Sequence, residues 1–200
     1  LSEFFVYCND DVFLTKRVDS TDFFLSNKIS KIRLEKWGNV NGEPTKGDPD
    51  FLNAARNGRE LLEKTFNISC VALHSHTVFP MRKTIVEEIS ERYRNEVLNT
   101  ARQRFRSETD ISLTSFLYPH YAYLTGRAIN SDDKVLLVKS TKNFKKIFND
   151  LLRDKDSNFN SLPLTICIND GADSYKNEVW NEEVVKFLNG FFPAKSSFEK

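Results

Sequence analysis

The sequence predicts an α/β fold, built mainly on a parallel sheet with a helical insertion, and three observations lead there. Phe4 to Asp11, Phe-Phe-Val-Tyr-Cys-Asn-Asp-Asp, is a continuous apolar, β-prone run that ends in an amide and two carboxylates. A continuous run, as opposed to alternation, suits a strand covered on both faces. Leu164 to Ile168 repeats the pattern and stops at Asn169-Asp170-Gly171. Val135 to Val138, a helical stretch bearing Phe144, Ile147, Phe148, Leu151 and Leu152, and Leu164 to Ile168 then form a β-α-β unit, with a right-handed crossover expected. In parallel sheets ligands bind beyond the carboxyl ends of the strands, which is where Asn9, Asp10, Asp11, Asn169 and Asp170 fall. Neighbouring strands lie about 5 Å apart, and carboxylates held that close share a proton or a cation. The competing reading is a pair of strand-to-turn junctions, because Asn and Asp cap turns through their own backbone.

At 200 residues and 40% hydrophobic content the chain is one domain's worth, residues 1–200, with a single sizeable core. No run of about eighteen uncharged apolar residues is present, and the first residues lack the pattern of a signal peptide. The chain starts at Leu1 and enters a strand almost at once, so a piece of something longer is expected. With 29 basic and 28 acidic residues there is no overall field to attract a polyanion such as nucleic acid. Any anion must be held by local groups. Cys8, Cys70 and Cys167 are unclustered and odd in number, with Cys8 and Cys167 in proposed strands, which favours a reducing compartment.

In chain order, Asp19 or Ser20 caps a short helical start with Asp22 near its first turn. Ile29 to Trp37 alternates imperfectly and reads as a strand. Gly38 to Pro49 holds three of the seven Gly and two of the six Pro, hence a loop, mobile over a site in one reading. Phe51 to Phe66 has helical apolar spacing interrupted at Gly58; its Asn53, Arg56, Asn57 and Arg59 address an anionic ligand or form a solvated face. His74-Ser75-His76-Thr77 precedes Pro80, which is expected at the first position of a helix carrying Met81, Ile85, Val86, Ile89 and Tyr93. His76 would then sit just ahead of a helix N-terminus, which suits phosphate. It reads as a general acid or base, a phosphate contact, or a satisfied structural residue. No further ligand completes a zinc site around the two His.

Asn95 to Phe116 reads as a helix rich in cations, with Arg102 and Arg106 four apart on one face, Arg104 and Phe105 between them, and Asp110 four beyond Arg106 for an internal ion pair. Tyr118 to Tyr123 is an aromatic cluster, core by default. After Asp170 a last helix carries Val179, Trp180, Val184, Val185, Phe187 and Leu188 and is expected to stop at Gly190. Residues 77–130 form the helical part. No repeat or low-complexity tract appears.

These residues resemble the stealth family of sugar-phosphate transferases. Leu1-Ser2 through Asn9-Asp10-Asp11-Val12 to Asp22-Phe23-Phe24 is similar to its second conserved region. His74 to Glu88, with Ser75-His76-Thr77 and Pro80-Met81-Arg82-Lys83, followed by Arg104-Phe105-Arg106-Ser107-Glu108 and Asp110, resembles the third. Ile168-Asn169-Asp170-Gly171 and Phe192-Pro193-Ala194-Lys195-Ser196-Ser197-Phe198-Glu199 resemble the fourth. The resemblance implies a catalytic-domain fragment of Rossmann/GT-A-like type that moves a hexose- or N-acetylhexosamine-1-phosphate from a UDP-sugar to an acceptor sugar hydroxyl of an oligosaccharide. UMP would leave and a phosphodiester of a capsular polysaccharide would form. The positions matching the family's functional ones are Asp11, His76, Arg106 and Asp170, with Mg2+ or Mn2+ on Asp11 and Asp170. Asn9, Asp10, Asn53, Asn57, Arg104 and Asn169 are the candidate substrate-binding residues. The family's first conserved region, with part of the nucleotide site, has no counterpart here. The resemblance further implies a cytoplasmic place, and leaves open peripheral association with the inner face of the bacterial membrane through parts not in this chain. Two other readings stand beside it: a noncatalytic carbohydrate- or nucleotide-sugar-binding module, and an ordinary metal-dependent glycosyltransferase releasing UDP.

Overall fold

A computed structural model describes residues 2–141, 143–169, 171 and 174–195. They form an α/β protein with small mixed sheets and six α-helices, in two compact units: residues up to Cys8 with Asp19–Asp132, and Asn9–Val18 with the residues from Asp133 onward.

In the first unit, β1 (Phe4–Tyr7) pairs antiparallel with β6 (Phe79–Arg82), β3 (Ser30–Ile32) parallel with β7 (Ala128–Asn130), and β4 (Leu34–Asn39) antiparallel with β5 (Ala72–His74). The expected doubly covered strand at Phe4 is therefore corrected. It is half of a two-stranded ribbon, in which Val6 is 38% and Tyr7 40% exposed, and it does not pair with the strand ending at Asn169. Pro80 is corrected too: it lies in β6 opposite Val6, and a proline without an N–H is tolerated where its edge needs no donor. The helix that follows, α2 (Lys83–Arg92), starts later because Glu3 caps it from β1's side. The Glu3 carbonyl accepts from Lys83 N (2.8 Å), and its carboxylate accepts from Thr84 N (3.3 Å), Thr84 Oγ1 (2.7 Å) and Arg82 Nε (3.1 Å). These donors hold the Glu3 carboxyl below its ordinary value, the Thr84 hydroxyl most.

Around these ribbons pack α1 (Asp50–Phe66), α2, α3 (Arg94–Arg102), a π-helical turn at Leu113–Leu117 and α4 (Tyr118–Leu124), burying Leu62, Ile85, Ile89, Phe116, Leu117, Tyr118 and Tyr121 with Ile32 of β3. Gly58 does not interrupt α1. It permits the close approach of the π-turn, since a Cβ there would lie 3.2 Å from the Phe116 ring. The aromatic cluster at Tyr118 is core, as its composition indicates. At the start of the unit Asp19 caps a 3-10 turn, Ser20–Asp22, reciprocally with Asp22, as the sequence led us to expect.

The second unit is a three-stranded sheet in the order β2 (Val12–Leu14), β9 (Thr165–Asn169), β8 (Val135–Lys139). β8 and β9 are parallel, joined through α5 (Phe144–Ser157), whereas β2 runs antiparallel to β9. α6 (Glu178–Phe191) packs against α5 over Phe148, Trp180, Phe187 and Phe191, with the Phe148 and Phe187 rings stacked at 4.4 Å. Asn177 caps α6 by accepting from Trp180 N at 3.1 Å. The helix runs past Gly190 to Phe191, and Gly190 serves packing, a Cβ there falling 3.2 Å from Leu152. Asn143 stands at the N-cap of α5 in a left-handed conformation, φ 75°, with no side-chain cap bond.

Candidate functional site

In the second unit the acids precede a strand instead of ending one. Asn9 to Val12 is a turn, with Val12 N donating to Asn9 O at 3.2 Å, and the Asp11 carbonyl then accepts from Ile168 N at 2.8 Å to begin the β2–β9 ladder. That antiparallel start sets the Asp11 carboxylate beside the end of β9. Its Oδ2 accepts from Cys167 Sγ at 3.2 Å and from Asn169 Nδ2 at 3.3 Å. Its Oδ1 is buried and has no hydrogen-bond partner among the described residues. Asn169 in turn accepts from Gly171 N through Oδ1 at 3.2 Å, so one amide links the turn after β9 to Asp11. Asp170 lies outside the described residues.

Asp10 and Asp11 line a groove of about 340 Å³ whose other walls are Phe13, Ile168 and the α6 residues Trp180, Asn181, Val184, Val185 and Leu188. Acid at one end and apolar wall along the helix is the usual composition of a small-molecule cleft. A buried carboxylate oxygen without a donor is costly in a protein and calls for a cation or a ligand hydrogen. No group of three or more His, Cys, Asp and Glu that could hold a metal ion occurs among the described residues. Asp10 and Asp11 are the carboxylates this groove could offer a cation, whose remaining ligands would be water and phosphate oxygens.

In the first unit the three histidines separate by role. β5 ends at His74 and the chain bends at His76-Thr77, so the two rings do not share a strand face. His74 is buried; its Nε2 accepts from Arg33 N at 3.2 Å and its Nδ1 lies 2.8 Å from the Ser75 carbonyl, which fixes the neutral tautomer with the proton on Nδ1. Burial pushes it down to about 3. His120, also buried and held down by desolvation, bonds the Ala72 carbonyl through Nε2 at 2.7 Å. His76 alone is exposed, and it precedes β6 instead of a helix, which corrects the expected helix N-terminus at that residue.

The expected arginine face is corrected as well: α3 ends at Arg102, and Arg104 and Arg106 follow in an exposed loop, Arg104 over the Phe105 ring at 5.4 Å. Asp110 pairs with the Ser107 amide (2.8 Å), and among the described residues no ion pair joins it to Arg106. Asn57 of α1 anchors this loop, giving both amide hydrogens to the Glu108 and Asp110 carbonyls at 2.8 Å each.

The Gly38–Pro49 loop is strapped down by the residues expected to meet an anion. Asn53, fully buried, exchanges bonds with Thr45 N (3.0 Å) and Thr45 O (2.9 Å). Arg56 donates to Asn41 O (2.9 Å), Asp48 Oδ2 (2.5 Å) and Asn53 Oδ1 (3.0 Å). Arg59 donates to Val40 O (3.1 Å) and Gly42 O (2.7 Å). Sequence reasoning also passed over Cys167, whose apolar context gave no signal of a bond to Asp11, and the Glu88 carboxylate, which Arg127 Nη1 (2.5 Å) and the Tyr121 hydroxyl (2.6 Å) hold below its ordinary value.

Fold and groove together define an α/β protein with an acid-edged cleft. Models of the stealth family match it twice, conserved region 3 over residues 75–123 and conserved region 4 over residues 149–200. The chain is 51% identical over 201 residues to the capsular polysaccharide phosphotransferase SacB of Neisseria meningitidis serogroup A, a match that takes in all of this chain and 37% of that protein. It is 34% identical over 202 residues to an exopolysaccharide phosphotransferase of Streptomyces coelicolor, covering 33% of it, and 32% identical over 205 residues to the exopolysaccharide phosphotransferase CpsY of Mycobacterium leprae, covering 36%; all of this chain is matched in both. The chain thus spans about a third of the length of these relatives. It belongs to the stealth family.

Proposed function

We propose that this chain contributes catalytic groups to a sugar-phosphate transferase of capsular polysaccharide synthesis. The observation that carries the reading is the 51% identity of the whole chain to a capsular polysaccharide phosphotransferase. The donor is a UDP-hexose or UDP-N-acetylhexosamine and the acceptor a sugar hydroxyl of an oligosaccharide. The acceptor oxygen attacks the phosphorus that bears the sugar, the bond to the UMP oxygen breaks, and the acceptor proton passes to a base.

Because phosphoryl transfer needs mainly positioning and charge stabilisation, the roles follow from charge and exposure. Arg106, exposed and without an ion pair among the described residues, clamps phosphate oxygens bidentately. His76, the exposed histidine, takes the acceptor proton or contacts the same phosphate. Asp11, whose Oδ1 has no hydrogen-bond partner among the described residues, and Asp170 would hold a Mg2+ or Mn2+ ion, which would neutralise pyrophosphate charge. Action on the cytoplasmic side of the bacterial membrane is part of the proposal; no helix among the described residues is long and apolar enough to cross a membrane.

Phosphorus NMR of the complete protein with a panel of UDP-sugars, Mg2+ and an oligosaccharide primer tests it. Accumulation of UMP with a new phosphodiester resonance is the expected result. Accumulation of UDP would mean glycosidic cleavage and an ordinary glycosyltransferase, and tight donor binding without turnover a binding module.

A further inference from the structure

We infer that Cys167 is a positioning residue for Asp11, and that with Asn169 it divides the labour between the two oxygens of that carboxylate. The inference rests on the transferase reading for its kinetic consequence and on geometry alone for the contact. Cys167 is fully buried in the central strand β9, and its Sγ stands 3.2 Å from Asp11 Oδ2, while Asn169 Nδ2 reaches the same oxygen at 3.3 Å. Both donors converge on Oδ2, and none among the described residues reaches Oδ1, although that atom is buried too. A carboxylate bonded on one oxygen only has a fixed plane and one oxygen left for work.

The pairing brings the two residues near each other: Val12 pairs with Cys167, and Asp11 is the residue just before Val12. From Thr165 to Ile168 the strand is buried, and there a thiol packs as a small hydrophobe and still donates weakly. Toward a carboxylate the weak donor gains from charge. Oδ1 would be the oxygen left for a cation or a ligand hydrogen, and Cys167 acts only through Asp11.

The contact is tested by infrared spectroscopy of the S–H stretch in the complete protein with every other cysteine, Cys8 and Cys70 included, changed to Ser, so that Cys167 carries the band. Asp11→Ala is expected to move the band to higher wavenumber; an unmoved band overturns the contact, whatever reaction the protein performs. The role is tested by turnover in the complete protein. Cys167→Ala is expected to lower kcat about tenfold with little change in donor KM, the usual scale for groups that orient a ligand from behind. Cys167→Ser, which keeps a donor, is expected to recover to within about threefold of the parent. Equal loss in Ala and Ser variants means packing alone and overturns the positioning role, as does full activity in the Ala variant. If the parent makes no phosphodiester with any donor, the transferase reading fails, and the infrared band still decides the contact on which this inference stands.

Discussion

The Asn9–Asp11 turn and helix α1 present the same kinds of polar side chain, yet their condition is opposite. On α1, Asn53, Arg56 and Arg59 spend their groups on the loop, Arg56 through Nε and Nη1 and Arg59 through Nη1 and Nη2. They close a loop rich in Gly and Pro onto the helix, and a guanidinium shared among backbone carbonyls has little left for a ligand. At Asp11 one oxygen is tied and the other is buried without a partner among the described residues. The difference teaches that polarity in a sequence does not by itself mark a site; what each polar group is already bonded to must be known as well.

The comparison breaks first at Asp11. Asp11→Asn is expected to lower phosphodiester formation by about 10²–10⁴-fold with a near-parental melting temperature, and so is Asp170→Asn, both read by phosphorus NMR and by thermal melts. Turnover that survives either change would remove that residue from the mechanism. Next comes α1: Arg56→Ala strips three acceptors of their donor and leaves Asp48 unpaired, which should destabilise the chain by about 1–3 kcal/mol, measured by urea unfolding. A surface-like change of a few tenths would mean that the loop is not held there.

The two neighbouring histidines sharpen the contrast through pH. His74 is lowered to about 3 by burial, so between its unfolded value of about 6.5 and that folded value the unfolded chain binds more protons. Stability therefore falls as pH drops through that window, by up to about 1.4 kcal/mol per pH unit for this group. His74→Gln should reduce the slope of stability against pH between 6 and 4, whereas the same substitution at the exposed His76 removes no buried ring. The smallest effect belongs to Lys36–Asp132, an exposed pair at 3.7 Å; Lys36→Ala should shift stability by less than about 1 kcal/mol in the same unfolding experiment.

Local pattern made α1, α5, α6 and the β8-α5-β9 unit legible, because apolar residues at helical spacing and short β-branched runs report the face they bury. What stayed hidden was pairing between distant segments. Nothing near Phe4 says that its partner is Arg82, and nothing near Pro80 says that Glu3 will start the following helix three residues later. The end of α3 at Arg102 carries no Gly or Pro to announce it. Asp11 and Asn169 do lie side by side, but by an antiparallel β2–β9 pairing and not by the parallel β1–β9 pairing that the apolar run at Phe4 led us to expect. For His74 and His76 the alternation of a strand was the available signal, and the strand stops between them.

Asn57 bears on the thermodynamics of whatever Arg106 meets. With its two amide hydrogens given to Glu108 and Asp110, the backbone just after that arginine is ordered when the chain folds. An arriving anion then has little main-chain entropy to remove, and only the guanidinium's own rotamers remain to be fixed. Loss of Asn57 would move that ordering from folding to association, so the penalty would appear as a more unfavourable binding entropy.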